Sequence, residues 1–350
     1  LFKGSIIVSA TISETPNPTA NQGFQTLMPM ITGYWVSACI YAAAKLQVAD
    51  LLKNGPVAVG RLAEQCSVNE DYLYRVLRAL AGLGIFHETA DRQFEQTTLS
   101  NLLRADVEGS MHSIAVMMGE EHYHTWGRLL QSMQSGDQAF ETLYGMPVFD
   151  YFEKNPEPSK TFNNAMTGFA SNVHRAVVSA YDFSTFHTLV DVGGGHGALL
   201  TAILEKNPTL KAILFDVAHV VAGARIPQTL ASRFETASGD FFQAVPTGGD
   251  AYILSTVIHD WSDELSLKIL RNIHTAMPAN GTLLLVEHVV EPDNQPSMGK
   301  LLDINMLLMT QGGRERSSAE YRELYRQAGF ELTRIVPTPS GVCVIEGKKQ

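Results

Sequence analysis

The sequence predicts a two-part α/β chain: a mainly helical, winged-helix-like N-terminal region followed by a doubly wound, mostly parallel sheet domain. Three observations carry this. From His187 onward, short apolar runs (HTLVDVG, LKAILFD, AYILSTVIHD and GTLLLVEHV) alternate with helical patterns, as strands covered on both faces and their crossover helices do. The first run leads into GGGHG, so LVDVGGGHGALL, residues 189–200, reads as strand, glycine turn and helix start. Upstream, residues 24–182 read as helices with one short hairpin among them.

Taken in order, residues 1–23 lack sustained periodicity and begin without Met, so they are expected to be disordered or foreign to the fold. The first helix, through Tyr41 to Ala44, is apolar nearly all round. Such a helix needs burial on several sides, and near a terminus a second subunit is a natural cover. Two helical patterns follow, 59–66 and 69–83, with Ser67 and Glu70 in capping-box spacing. IFHETADRQFEQT then gives two extended pieces around a polar turn at residues 90–92, completing a winged-helix outline. Further helices run to Asp182, broken at Gly136, Gly145, Pro147 and the turn at 156–158, and a boundary is expected near residues 181–185. In the second half, Leu265, Ile269, Ile273 and Met277 line one helix face.

Charge and composition narrow the function. Acidic residues outnumber basic ones 36 to 26 in 350 residues, a net charge of −10, which repels phosphate backbones. The presumed recognition helix sets Glu70 and Asp71 against Arg75 and Arg78, so nucleic acid is not expected as a partner. The best membrane candidate, residues 31–52, is interrupted by Lys45 and Asp50, and no spanning segment is expected. Cys39, Cys66 and Cys343 are too few and too scattered for a disulfide framework or zinc cluster. A cytoplasmic protein with reduced thiols is the expectation.

The glycine turn alone is ambiguous, because Gly193, Gly195 and Ala198 also satisfy a dinucleotide pattern. The acids separate the alternatives. Asp191, just before the glycines, is unwelcome beside a pyrophosphate and suits a sulfonium or amino group. Asp216 closes the second strand, where a carboxylate can accept both ribose hydroxyls, and Asp240 in SGDFF follows the third strand beside an adenine-sized space. Acids on three successive strand ends indicate S-adenosylmethionine.

Methyl transfer to oxygen is an in-line displacement that needs alignment and one base. His259, after AYILSTVI at the same sheet edge as the glycines, is the best candidate, and Glu287 and Glu315 are the carboxylates available to fix its tautomer and raise its basicity. A phenol and an unperturbed imidazole differ by about 3.5 pKa units, roughly 5 kcal/mol, so the proton should move as the methyl moves. Asp260 reads as a cap for the helix beginning near Ser262, and Trp261 as either core or an adenine wall. Glu121, His122 and His124 have the wrong helical spacing for a metal, and none is expected. Phe162, Met166, Met306 and Thr310 lie in segments placed to line an acceptor pocket.

LVDVGGGHG, LFDVAHVV, SGDFF, VIHDWSDE and GGRERS, in this order, resemble the metal-independent S-adenosylmethionine-dependent O-methyltransferases of the plant caffeate and flavonoid type, from about Phe24 to the end. The resemblance implies a Rossmann-like catalytic domain at 184–350, a dimerisation and acceptor-pocket domain at 24–183, and a homodimer. It implies cofactor contacts from Gly193, Asp216, Asp240 and Phe241, with Asp216 on the ribose. It also implies that Glu287 and Glu315 flank a catalytic His259, and that Met166 and Met306 touch the acceptor. Ser255 departs from the lysine that the plant enzymes commonly carry there, so any cofactor contact from that position is lost or replaced. The remaining alternatives are N- or C-methylation on the same fold, a nicotinamide oxidoreductase, and a ligand-binding winged-helix regulator.

Overall fold

A computed structural model describes residues 20–89, 92–107 and 109–350. Residues 1–19, and Ala90 and Asp91 of the expected hairpin turn, lie outside the described residues. The chain divides into two compact units, one of residues 1–119 with 293–297 and the other of 120–292 with 298–350.

In the first unit, helices Ala20–Ile31 and Gly33–Lys45 lead into the winged-helix arrangement. The chain is thus already helical at Ala20, ahead of the expected start at residue 24. Helices Val59–Cys66 and Glu70–Gly82 pack on a small antiparallel sheet of order β1-β3-β2, where β1 is Val57–Ala58, β2 Phe86–Glu88 and β3 Gln93–Gln96. Leu62, Leu73, Leu77, Leu80, Phe86 and Phe94 fill the core between them. The cap of the second helix differs from the expectation: Asn69 accepts the Tyr72 N–H at 3.1 Å, whereas Ser67 sits at φ +55° and ends the preceding helix. Ser67 is taken up in closing that helix, so Asn69, in extended backbone at φ −69° and ψ 127°, opens the next one two positions on.

The stretch Gln22–Lys45 is long and apolar enough, by composition, to cross a bilayer, yet only 11% of its window is buried. The sequence window at 31–52 began too late to register it. Phe24, Leu27, Met30, Ile31, Tyr34 and Trp35 are all exposed, so the expected burial on several sides is not supplied within this unit.

The second unit is built on a seven-stranded sheet of β4 Thr188–Val192, β5 Lys211–Asp216, β6 Phe234–Ser238, β7 Ala251–Ser255, β8 Thr282–Glu287, β9 Phe330–Pro337 and β10 Cys343–Lys349. Its order is β6-β5-β4-β7-β8-β10-β9, with the first five strands parallel and β10 antiparallel to both its neighbours. Strand alternation divides the core: Leu189, Ile253 and Leu284 face one layer of helices, and Val190, Tyr252 and Leu283 the other. Crossovers run in opposite directions from β4 and β7, which opens a crevice at their carboxyl ends.

Helices Glu121–Trp126, Ala139–Tyr144, Val148–Lys154 and Pro156–Ala180 belong to this unit rather than to the N-terminal one, so the compact division falls at 119/120 and not near 183. The reason is packing. Val173 and Val177 of the long helix join Leu200 and Ile203 in one core, and Tyr181 and Phe183, expected in a linker, are buried in it. The Tyr181 hydroxyl also donates to Glu346.

In the first unit, a Cβ on Gly119 would lie 2.1 Å from the ring of Tyr41. Gly119→Ala should therefore destabilise the protein by about 1–3 kcal/mol through overpacking, read as a lower midpoint in denaturant at unchanged slope.

Candidate active site

At the end of β4 the chain turns through Gly193, Gly195 and Gly197, all at positive φ (73°, 59° and 82°), into helix Ala198–Lys206. Only glycine enters this region without strain. Asp191, one residue inside the strand end, is buried, and a Cβ on Gly194 would fall 2.6 Å from its carboxyl carbon. The carboxylate thus lies directly against the turn, and neither oxygen has a hydrogen-bond partner. Burial, with Asp216 adding repulsion, pushes its pKa up to about 7. A buried anion without a partner fits a cationic ligand and disfavours a pyrophosphate.

Asp216 ends β5 beside the turn. One carboxylate oxygen accepts the Gly195 N–H at 2.9 Å and the other its neighbour Val217 N–H at 2.7 Å, so the side chain is fixed while each oxygen keeps a lone pair free. Burial raises its pKa, and these two N–H groups oppose the rise. Asp240 accepts the Phe242 N–H at 2.8 Å and lines a cleft of ≈ 440 Å³ with Phe215, Gly239 and Gln243. Neither Gly193 nor His259 lines that cleft. Phe241 reaches toward Gly193, 3.7 Å from where a Cβ would stand, and meets Trp261 edge-on. Trp261 also stacks on Phe149 at 6.0 Å.

Ser255 is the last residue of β7, and Thr256 follows at φ +52°. This strained turn aims the Val257 and Ile258 N–H groups at Glu287 Oε1, at 3.1 and 2.8 Å. His259 comes next, and its Nδ1 lies 2.8 Å from Glu315 Oε1 and 3.6 Å from Glu287 Oε2. Both glutamate side chains are fully buried. A carboxylate only accepts, so Nδ1 carries the hydrogen and Nε2 is the nitrogen left to exchange a proton. Nε2 in turn lies 3.6 Å from Asp260 Oδ1. Burial favours the neutral ring, but Glu287, Asp260 and Glu315 outweigh it and push the His259 pKa up to about 10. Desolvation raises Glu287 to about 7 and Asp260 to about 6.

Asp260 is not the expected helix cap. The Ser262 hydroxyl takes that position, accepting the Leu265 N–H at 3.4 Å, which leaves Asp260 free to face the imidazole.

The acceptor-side residues are dispersed. Met306 and Thr310 are buried on helix Met298–Met309 and just after it. The Thr310 hydroxyl donates to Met306 O at 2.9 Å and accepts the Gly313 N–H at 3.0 Å. Gly313 packs against the His259 carbonyl, 2.6 Å from where a Cβ would stand, so Thr310 supports the turn beneath the histidine. Phe162 stacks on Phe152 at 4.5 Å in an aromatic cluster with Phe140, Tyr144 and Tyr151, and Met166 is partly exposed.

Two anchors were missed from sequence. Arg316, fully buried, donates to Ile258 O at 3.2 Å, Trp261 O at 3.0 Å and Asp263 Oδ1 at 2.7 Å, clamping the histidine turn at both ends. Asp303 accepts the Glu315 N–H at 2.9 Å. Arg316 stood in the quoted GGRERS motif, but an arginine there reads as surface charge until its burial is known.

An O-methyltransferase domain matches residues 126–331 and an O-methyltransferase dimerisation domain matches residues 28–106. The phenazine O-methyltransferase PhzM of Lysobacter antibioticus is 44% identical, covering 92% of this chain and 95% of that protein. A phenazine-1-carboxylate N-methyltransferase of Pseudomonas aeruginosa is 32% identical, covering 90% and 94%. The crystal structure of human N-acetylserotonin methyltransferase in complex with SAM superposes with a TM-score of 0.86 at 27% identity, covering 95% and 99%.

Because the native state holds the Asp191 proton up to about pH 7, while an unfolded aspartate releases it near 4, stability falls as pH rises through that window. Asp191→Asn should therefore stabilise the cofactor-free protein at pH 8, by up to about 4 kcal/mol, and make little difference at pH 4. Denaturant unfolding at the two pH values checks this.

Proposed function

The chain belongs to the O-methyltransferase family and is an S-adenosylmethionine-dependent methyltransferase of small molecules, and from that premise we propose that it methylates an aromatic hydroxyl, with His259 as general base and no metal ion. The observation that carries the proposal is the buried 2.8 Å pair between His259 Nδ1 and Glu315. An aromatic ring nitrogen has no proton to give up, so a base held by carboxylates has work to do for an O–H acceptor and none for a ring nitrogen. This favours oxygen over the N-methylation named for one relative.

The cofactor supplies an electrophilic methyl group on a sulfonium. Asp216 would accept the ribose hydroxyls, Asp240 and Trp261 would hold the adenine, and Asp191 would balance the positive end, with Gly193 and Gly195 leaving bare backbone beside it. Phe241 and Ser255 complete this wall. On the other side, Phe162, Met166, Met306 and Thr310 shape the acceptor pocket, where thioethers adapt to a flat ring. The relative named for phenazine supports a fused aromatic acceptor.

The carboxylates change the proton arithmetic. At about 10, the His259 imidazolium is level with a phenol, so the roughly 5 kcal/mol mismatch expected from unperturbed values disappears. The demand moves elsewhere, because Nε2 must be emptied of its proton before the hydroxyl arrives.

With S-adenosylmethionine and 1-hydroxyphenazine as the test acceptor, His259→Ala should lower kcat by about 10²–10⁴-fold while leaving S-adenosylhomocysteine affinity within about twofold. Glu315→Gln and Glu287→Gln should reduce kcat more than cofactor affinity. Undiminished turnover in His259→Ala removes the base assignment, and an N-methylated product removes the hydroxyl assignment.

The exposed apolar face of Gln22–Lys45, with the dimerisation-domain match, supports a homodimer formed through these helices. Sedimentation should show a dimer that Leu27→Asp with Trp35→Asp converts to monomer.

A further inference from the structure

We propose that Asp260 is the proton exit of the active site: it takes the proton from Nε2 of His259 and passes it to solvent. This rests on His259 acting as the base. Three carboxylates surround the imidazole, but they are not equivalent. Glu315 and Glu287 both lie on the Nδ1 side and their side chains have no exposed surface, so a proton delivered there has no way out. Asp260 lies on the Nε2 side, 3.6 Å from that nitrogen, and its side chain keeps 23% of its surface exposed. Of the three carboxylates it alone is both paired with the exchanging nitrogen and partly exposed.

The other groups around Asp260 leave it free for this task. The helix cap is made by Ser262. The Arg316 guanidinium, which could have neutralised Asp260, is committed to Asp263, Ser266 and the carbonyls of Ile258 and Trp261. Desolvation raises the affinity of Asp260 for a proton above an ordinary aspartate's; the charged His259 ring opposes the rise and Glu315 adds to it. Its backbone is held by the turn, the Asp260 N–H donating to Val257 O at 3.2 Å and Gly313 packing against its carbonyl carbon.

The balance of the cycle is closed. As the acceptor oxygen forms its bond to the methyl carbon and the sulfur–carbon bond breaks, the electron pair of that bond stays on sulfur. The hydroxyl proton passes to Nε2. The Nε2 proton then moves to Asp260 Oδ1 and on to water, which returns a neutral ring with Nδ1–H still donated to Glu315. Without the last step the imidazolium, strongly favoured by its surroundings, persists and blocks the next turnover.

Asp260→Asn tests this in protein labelled with ¹⁵N-histidine and bound to S-adenosylhomocysteine, where solvent exchange of the His259 Nε2 proton is read by NMR without any acceptor. Exchange should slow by about tenfold or more in the variant and be restored by added formate, with Asp260→Glu close to wild type. Wild-type exchange in Asp260→Asn, or slowed exchange that formate does not restore, overturns the proposal. Should Asp260→Asn not fold, unchanged exchange in Asp260→Ser overturns it equally. A parallel turnover assay with 1-hydroxyphenazine keeps the two readings apart: absence of O-methyl product in the wild type sinks the hydroxyl reading, while the exchange measurement still decides the role of Asp260.

Discussion

The guanidinium of Arg316 is the constraint on which the site depends. A buried arginine is costly unless its donors are satisfied, and here they are satisfied by the carbonyls of Ile258 and Trp261 and by Asp263. Those acceptors bracket His259, so the requirement to pair one buried cation fixes where the imidazole stands. The adjacent Glu315 is delivered by the same segment, and its backbone N–H is held by Asp303. The loop that sets the position of the histidine therefore also carries one of the three carboxylates that raise its basicity, with Glu287 at the end of β8 and Asp260 supplying the others.

The fold was legible because its signals are local. Apolar runs and glycines mark strands and turns through sterics and periodicity, and each of β4, β5, β7 and β8 lies inside a run picked out from the sequence. The helices from residue 120 to 180 were read as helices and grouped with the N-terminal region, whereas compactness groups them with the sheet, because such grouping depends on long-range packing, such as Val177 and Ile203 in one core, which leaves no local mark. Ser67 and Asn69 show the same limit on a smaller scale: either can cap a helix, and only the backbone direction, set by the preceding helix end, selects between them.

The site was legible in part. His259 and Glu287 stand at two strand ends of one sheet edge, which the apolar runs mark, whereas the place of Glu315 beside them came only from the motif resemblance. The role of Asp260 did not, since sequence places it next to a plausible helix start and cannot show that Ser262 already satisfies the first free N–H groups. The Thr310 hydroxyl, expected from sequence beside the acceptor, also bonds Met306 O and the Gly313 N–H, a supporting role that no sequence pattern announces.

Asp191 carries a consequence beyond catalysis. A buried carboxylate with no partner stores unfavourable free energy in the cofactor-free protein, and a cationic ligand that binds only the native state releases it. Opening of the unliganded fold is correspondingly more frequent, and proteases act on opened chains. The lifetime of such a protein in a cell then follows the supply of its methyl donor, so scarcity of the donor lowers the amount of enzyme as well as its rate.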